Sequence, residues 1–324
     1  MHDMQSLRDR IEQELTDWQI PESPIELYAP IRYTMAMGGK RMRPLLVLLG
    51  CKLFKNDVTD AIGPAIAVEV FHNFTLLHDD IMDNAPIRRG KPAVHSKWTS
   101  NIAILSGDAM FVLAYKALAK TNVELLPKLM DAFSTTALQV CEGQQLDMNF
   151  EQRSDVSIEE YEEMIRLKTA VLLAASLKIG AIAGYATDEQ AQALYSFGLN
   201  AGIAFQLQDD ILDVFGDSHK VGKQQGGDIL SNKKTYLLLK AFELANGRQK
   251  EELNHWIHAT EFNAEAKVET VKGIYEQLNI RKLAEQRMEF FHVQAKTYLN
   301  AVSANYEWKT ALEQFTDSLM HREH

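Results

Sequence analysis

Cysteine is scarce in this chain: 324 residues hold two, Cys51 and Cys141, each in an apolar, helix-like stretch. That excludes a disulfide framework and makes a reducing compartment the default. Long apolar runs are missing as well, since the longest approach, Ala170 to Tyr185, carries Lys178 and is too short to cross a bilayer. No stable membrane insertion is expected. Basic residues do not dominate either, with 34 Lys and Arg against 44 Asp and Glu for a formal charge of -10. This balance argues against a nucleic-acid partner and repels phosphorylated ligands at long range, so a phosphate site needs local cations or metal. The N-terminal Met-His-Asp-Met-Gln-Ser-Leu-Arg-Asp-Arg places charges where a signal peptide needs an apolar core. A cytoplasmic protein is expected. Also absent are a Cys/His cluster at zinc spacing and a serine nucleophile elbow, which leaves covalent catalysis without an evident agent.

Period-2 alternation is rare, whereas apolar spacing of 3.6 residues recurs almost to the end. The fold class is therefore all-α. Ser157-Ile158-Glu159-Glu160 is a capping box, predicting a helix from there to about Gly184. Pro44 suits the first position of a helix running to about Phe54. Further helices are predicted over roughly 5–17, 24–36, 59–84, 100–120, 124–149 and 188–215, with shorter ones filling 232–320. Small residues crowd two segments, Ala170 to Ala183 and Gly198 to Ala204, consistent with close helix packing or a cavity between helices. The length prior allows two domains, but no linker divides the chain, so one domain over 1–324 is expected. The irregular stretch Gly216 to Lys234 reads as a lid or phosphate loop.

Against that background stands a repetition. Asp79-Asp80-Ile81-Met82-Asp83 recurs as Asp209-Asp210-Ile211-Leu212-Asp213, each copy inside an apolar segment. At 100° per residue the three aspartates of each copy fall within an arc of about 100°, so their carboxylates converge. Such charges repel one another unless a cation sits among them. Oxygen-only sites suit hard cations, and magnesium favours one or two carboxylates plus waters and phosphate oxygens. A phosphate ester is the natural third party.

The cations for that ester are also visible. Lys40, Arg41 and Arg43 follow Gly38-Gly39 and precede a helix start, where backbone N–H groups favour an anion. Arg88 and Arg89 come soon after Asp83, in a loop that Pro86 enforces, and arginine pairs suit phosphate oxygens. Lys168, beside Thr169, lies in mid-helix on an increasingly buried face, either as a ligand or as a snorkelling lysine. Lys223 and Lys233 flank Gly226-Gly227 and could close over a bound anion. His72 shares a face with Asp79 and Asp83, though a lone helical histidine is more often a core residue. His78 and His95 carry less weight.

Together these residues resemble the trans-isoprenyl diphosphate synthases, the polyprenyl synthetase family. The resemblance rests on Gly38-Gly39-Lys40-Arg41-Met42-Arg43-Pro44, the first acidic motif with Arg88-Arg89-Gly90, Lys168-Thr169, and Gln206 with the second motif. It extends through Gly222-Lys223, Gly227-Asp228 and Lys233-Lys234-Thr235. It implies a short-chain prenyltransferase with an all-α bundle around a deep central cavity, normally a homodimer. It further implies three magnesium ions on Asp79, Asp80, Asp83, Asp209 and, more loosely, Asp210 and Asp213. Arg88, Lys168, Lys223 and Lys233 would touch the allylic diphosphate; Lys40, Arg43, His72 and Arg89 would bind isopentenyl diphosphate. Thr169 and Gln206 would line the reacting region. Asn232, where the family often has glycine, and Tyr236-Leu237-Leu238, where it often has Leu-Pro, depart from the pattern in the closing loop.

In such enzymes, bulk at the fourth and fifth positions before the first motif forms a floor that limits product length. Here these are Thr75 and Phe74, one aromatic of two, which resembles enzymes that stop at twenty carbons. Geranylgeranyl diphosphate is the expected product, with farnesyl diphosphate as the alternative. Residues on neighbouring helices could add to the floor. Rival readings are a metal-dependent phosphohydrolase drawn from His78-Asp79, a terpene cyclase, and a non-catalytic isoprenoid-binding subunit. The first leaves the second motif unexplained, the second lacks the Gly-Gly-Lys-Arg-Met-Arg-Pro segment, and the third has no need of six aspartates.

Overall fold

The computed structural model describes residues 2–216 and 226–320. Helices α1 (His2–Thr16), α2 (Ile25–Met35), α3 (Met42–Lys52) and α4 (Thr59–Met82) precede a hairpin of β1 (Ile87–Arg88) and β2 (Lys91–Pro92). After α5 (Val94–Lys97), α6 (Ser100–Leu118) and α7 (Leu126–Glu151) come α8 (Ile158–Ile165), a π-helical turn (Arg166–Ala170) and α9 (Val171–Ala183). The remainder is α10 (Asp188–Phe215), α11 (Gly227–Leu230), α12 (Tyr236–Leu244), α13 (Gly247–His258), α14 (Ala264–Gln277), α15 (Ile280–Ala301) and α16 (Tyr306–Met320). The all-α expectation holds.

The chain divides into two compact units, one of Met1–Thr135, Ala175–Leu194 and Ser303–Ala311, the other of Thr136–Ala174, Tyr195–Val302 and Leu312–His324. In the first, α3 buries nine of its eleven residues and α4 thirteen of its twenty-four, among them Leu45, Val47, Leu48, Val68 and Phe71. Both are core elements, and each such large apolar side chain contributes about 1.5–3 kcal/mol on burial. Gly180 lets α9 lie on α3, because a Cβ there would meet the Val47 carbonyl oxygen at 2.1 Å. In the second unit the core gathers Tyr161, Leu207, Ile211, Leu253, Tyr275 and Ile280. Gly202 brings α10 against Ala170, where a Cβ would come within 2.7 Å of the Ala170 Cα. Close packing thus accounts for both of these glycines.

Three local expectations change. The helix expected from Pro44 begins at Met42, with Arg41 as its N-cap in the left-handed region at φ 45°. Pro44 still costs no hydrogen bond, since the first four N–H groups of a helix have no partner within it. The Ser157 capping box forms as read, but the helix it opens is interrupted by the π turn at Arg166–Ala170. The loop after Asp83 is a hairpin whose turn, Arg89-Gly90, has φ of 52° and 73°. Two consecutive positive φ values define a type I′ turn, and Gly90 satisfies its second position without strain.

Candidate active site

In the first unit, the helical phase of α4 sorts its aspartates. Asp79 and Asp83 are four residues apart and about 40° apart in phase, so they share the outer face; Asp80, about 100° from Asp79, turns inward. Asp83 is exposed, Asp79 half-buried, and Asp80 only 3% exposed. The hairpin returns Arg88 to this buried carboxylate, where its Nε donates to Asp80 Oδ1 at 2.9 Å and its Nη2 donates to the same oxygen. Arg89, the first residue of the turn, donates instead to the Gly38 carbonyl.

Glycines 38 and 39 lead into α3, and the three cations after them separate there. Lys40 is exposed and Arg43 half-buried, but Arg41 is buried and paired with buried Glu69, its Nη1 donating to Glu69 Oε1 at 2.5 Å. Arg41 also donates to the Met35 carbonyl at 2.9 Å. It is thus a structural strut between α2 and α4, which removes it from the expected anion-binding trio. Arg43 Nη1 donates to His72 Nε2 at 3.0 Å. A guanidinium only donates, so Nε2 accepts and the ring proton sits on Nδ1. Burial, then the nearby Arg43, Arg89, Arg88 and Arg41, hold the His72 pKa well below its ordinary value, so the ring is neutral.

Beneath the first motif lies an aromatic cluster. Phe74 stacks on Phe111 of α6 with ring centroids 5.3 Å apart and also packs 5.6 Å from Phe71. Phe71 meets Phe133 at 5.4 Å, and Tyr115 bridges Phe111 and Phe133 at 5.2 and 5.1 Å. Thr75 turns back on its own helix, donating to the His72 carbonyl at 2.8 Å. His78, a weak ligand candidate, packs on α6: its Nε2 lies 3.2 Å from the Ile104 carbonyl, and a Cβ at Gly107 would clash with the ring.

In the second unit the same phase rule applies to α10, where Asp209 and Asp213 are half-buried and Asp210 is 5% exposed. Asp210 is enclosed by neutral donors: Gln206 Nε2 donates to Oδ1 at 2.9 Å and the Tyr161 hydroxyl donates to Oδ2. Thr169 in turn donates to Gln206 Oε1 at 3.2 Å. Asp213 accepts the Asp228 N–H through Oδ2 at 2.9 Å, tying α10 to the start of α11. Lys168, carried on the π turn, donates to Asp147 Oδ2 of α7 at 2.5 Å. One extra residue in a turn rotates the rest of the helix by about 100°, and here that turn presents Lys168 to one neighbour and Thr169 to another. Gly143 admits the approach, since a Cβ there would fall 2.3 Å from the Lys168 backbone nitrogen.

Lys233 is exposed just after α11; Lys223 lies outside the described residues. Among the described residues, no three His, Cys, Asp or Glu side chains form a self-sufficient metal cage. Sequence reasoning missed Glu69, Asp147 and Tyr161. The signal for Glu69 was an acid inside an apolar helix three residues before His72; the other two had none beyond their places on buried helix faces.

A sequence model of polyprenyl synthetase matches residues 24–277. The chain belongs to the polyprenyl synthetase family. It is accordingly a prenyltransferase. Among its relatives in the family, a geranylgeranyl diphosphate synthase of Methanosarcina mazei is 46% identical over 222 residues, covering 68% of each chain. A geranylfarnesyl diphosphate synthase of Natronomonas pharaonis is 41% identical over 253 residues, 72% of this chain and 74% of that one. The crystal structure of a geranylgeranyl pyrophosphate synthase superposes with a TM-score of 0.94 at 44% identity, covering 99% of both chains. A geranylgeranyl pyrophosphate synthase of Corynebacterium glutamicum, complexed with isoprenyl diphosphate and magnesium, gives 0.85 at 26% identity over 98% of both.

Proposed function

We propose that this prenyltransferase condenses isopentenyl diphosphate with allylic diphosphates and makes geranylgeranyl diphosphate. The observation that carries the product length is the stack of Phe74 on Phe111, a bulky floor at the fifth residue before Asp79. With Thr75 small and folded back, the floor is single, which supports twenty carbons over fifteen. The outer aspartates, Asp79, Asp83, Asp209 and Asp213, would hold magnesium, three ions in this reading. Bound there, magnesium neutralises the diphosphate and makes it a better leaving group. Asp80 and Asp210 act one step back, orienting Arg88 and Gln206.

Arg88, Lys168, Lys233 and Lys223 stabilise the charge that grows on the allylic diphosphate as its C–O bond breaks. Lys40, Arg43, Arg89 and neutral His72, which has an Nδ1 proton to donate, hold isopentenyl diphosphate so that its double bond meets the allylic cation. Thr169 and Gln206 stand beside the reacting carbons, and the apolar walls keep out water that would quench the cation. Proton loss, with the departing diphosphate as acceptor, completes the bond.

A homodimer and a cytoplasmic location belong to the same proposal. Helix α6 is long and apolar enough to cross a membrane, and its outer face shows Ile104, Leu105 and Val112 to solvent. Exposed Asp108 and Lys116 share that face, which suits a protein partner better than lipid, and a second copy is the partner proposed. The family model runs unbroken over residues belonging to both compact units, which supports one functional domain. The test is to incubate the protein and magnesium with isopentenyl diphosphate and each allylic primer, then weigh the products. Twenty-carbon product is expected; fifteen-carbon product alone would replace the assignment, and no condensation with any primer would favour the binding subunit.

A further inference from the structure

The turn between α11 and α12 carries Lys233, and its backbone is pinned on both sides. Lys233 N–H donates to the Asp228 carbonyl at 3.0 Å, Thr235 N–H donates to the Lys233 carbonyl at 2.9 Å, and the Thr235 hydroxyl caps α12. The pivot is Asn232, in the left-handed region at φ 55°. Glycine takes that conformation most easily, and asparagine is among the few other residues that tolerate it. This asparagine also does what glycine cannot. Its Nδ2 donates to the Ile257 carbonyl at 3.1 Å, and its Oδ1 accepts from Lys267 Nζ at 2.7 Å.

Lys267, on α14, is 1% exposed. Its ammonium also reaches the Leu230 carbonyl at 3.4 Å, at the end of α11, and lies 4.3 Å from the Phe262 ring centroid. Among the described residues it has no carboxylate partner. An ammonium removed from water without a counter-charge is costly, and its burial accordingly lowers its pKa. Methionine would fill much the same volume without that cost. What the ammonium provides instead is a pair of hydrogen bonds, both to the Leu230–Asn232 turn.

We infer that Lys267 is a positioning residue for the allylic diphosphate, acting through Asn232 to fix the turn that presents Lys233. This rests on the proposed contact of Lys233 with that diphosphate. The structure gives the departure from glycine at Asn232 a function: it is the handle by which a buried lysine on α14 holds the substrate-facing turn.

Steady-state kinetics with each substrate varied in turn test this on Lys267→Met, Asn232→Gly and the double variant. Lys267→Met should raise KM for the allylic diphosphate about tenfold, mid-range for residues sharing a hydrogen bond, with KM for isopentenyl diphosphate within about twofold. Asn232→Gly strands the buried ammonium and should do the same. The double variant leaves no buried charge stranded and keeps the left-handed turn, so its defect should stay near that of one single variant, about tenfold rather than a hundredfold. Multiplicative defects, or equal rises for both substrates, overturn the role. If Lys267→Met is not recovered folded, Asn232→Ala is read the same way: an allylic-selective rise supports the role, and an equal or absent rise overturns it. Wild-type protein that forms no product removes the proposed function and this role together.

Discussion

The two acidic pentapeptides differ in one residue, Met82 against Leu212, yet their inner aspartates are handled in different ways. Asp80 is met by a guanidinium, so its charge is compensated within the unit. Asp210 is met by an amide and a phenol. Burial and then nearby Asp228 push its pKa up, while the hydrogen bonds from Tyr161 and Gln206 pull the other way. Burial prevails, and the carboxyl favours its proton. Repetition in sequence therefore reproduces helical phase but not electrostatics. The first inner aspartate comes with its counter-charge, and the second relies on neutral donors.

The hardest test of the comparison is whether outer aspartates matter alike in both segments. Asp79→Ala and Asp209→Ala should each lower turnover by roughly two to three orders of magnitude, as losing one electrostatic element of a preorganised site does, with the fold intact by circular dichroism. Near-normal turnover in either would show that segment not to hold metal. A second contrast is apolar. Phe74→Ala should lengthen the product by at least one five-carbon unit, read by mass spectrometry, because it removes the ring stacked on Phe111. An unchanged product would move the floor to Phe111 and its neighbours.

The inner aspartates should part company in stability. Asp80→Asn leaves Arg88 without its charged partner and should destabilise by about 1–3 kcal/mol in urea unfolding, the range for hydrogen bonds to charged groups. Asp210→Asn should behave oppositely in metal-free protein. A carboxyl whose folded pKa is raised contributes fully below its unfolded value of 3.8, and that contribution is lost as pH rises through the folded value. The amide lacks this loss, so the variant should gain on wild type by about 1.4 kcal/mol per pH unit over that window. Equal losses for the two variants would erase the distinction.

How far the molecule was legible in its sequence depends on the reach of each signal. Spacing alone gives helices, and it gives the shared face of Asp79 with Asp83, because phase is a local property. The capping box at Ser157 forms for the same reason. Spacing cannot give the depth at which a helix is buried, and that depth pairs Asp80 with Arg88, Asp210 with Gln206 and Tyr161, and Arg41 with Glu69. The π turn at Lys168 was invisible because no local residue pattern marks it; Gly143 of another helix packs against its backbone. Phe111 escaped too: it lies 37 residues from Phe74 in sequence.

The mildest test concerns His72, the first unit's counterpart to a carboxyl kept protonated: a base kept neutral. Burial leads in lowering its pKa, followed by Arg43 and the other arginines. An unfolded histidine takes a proton below its ordinary value of 6.5, whereas the folded ring does not. The unfolded state therefore binds more protons in that window, so stability is full above pH 6.5 and is lost as pH falls, by up to about 1.4 kcal/mol per unit. His72→Gln has no such proton to gain. Between pH 6.5 and 5.5, where the unfolded ring goes from half to almost fully protonated, wild type should lose about 1 kcal/mol more than the variant in urea unfolding, the remaining histidines cancelling in the comparison. Parallel losses would mean that the ring is already protonated beside Arg43. It could not then accept the Arg43 hydrogen bond, and the proposed isopentenyl diphosphate contacts would have to be redrawn around a histidinium.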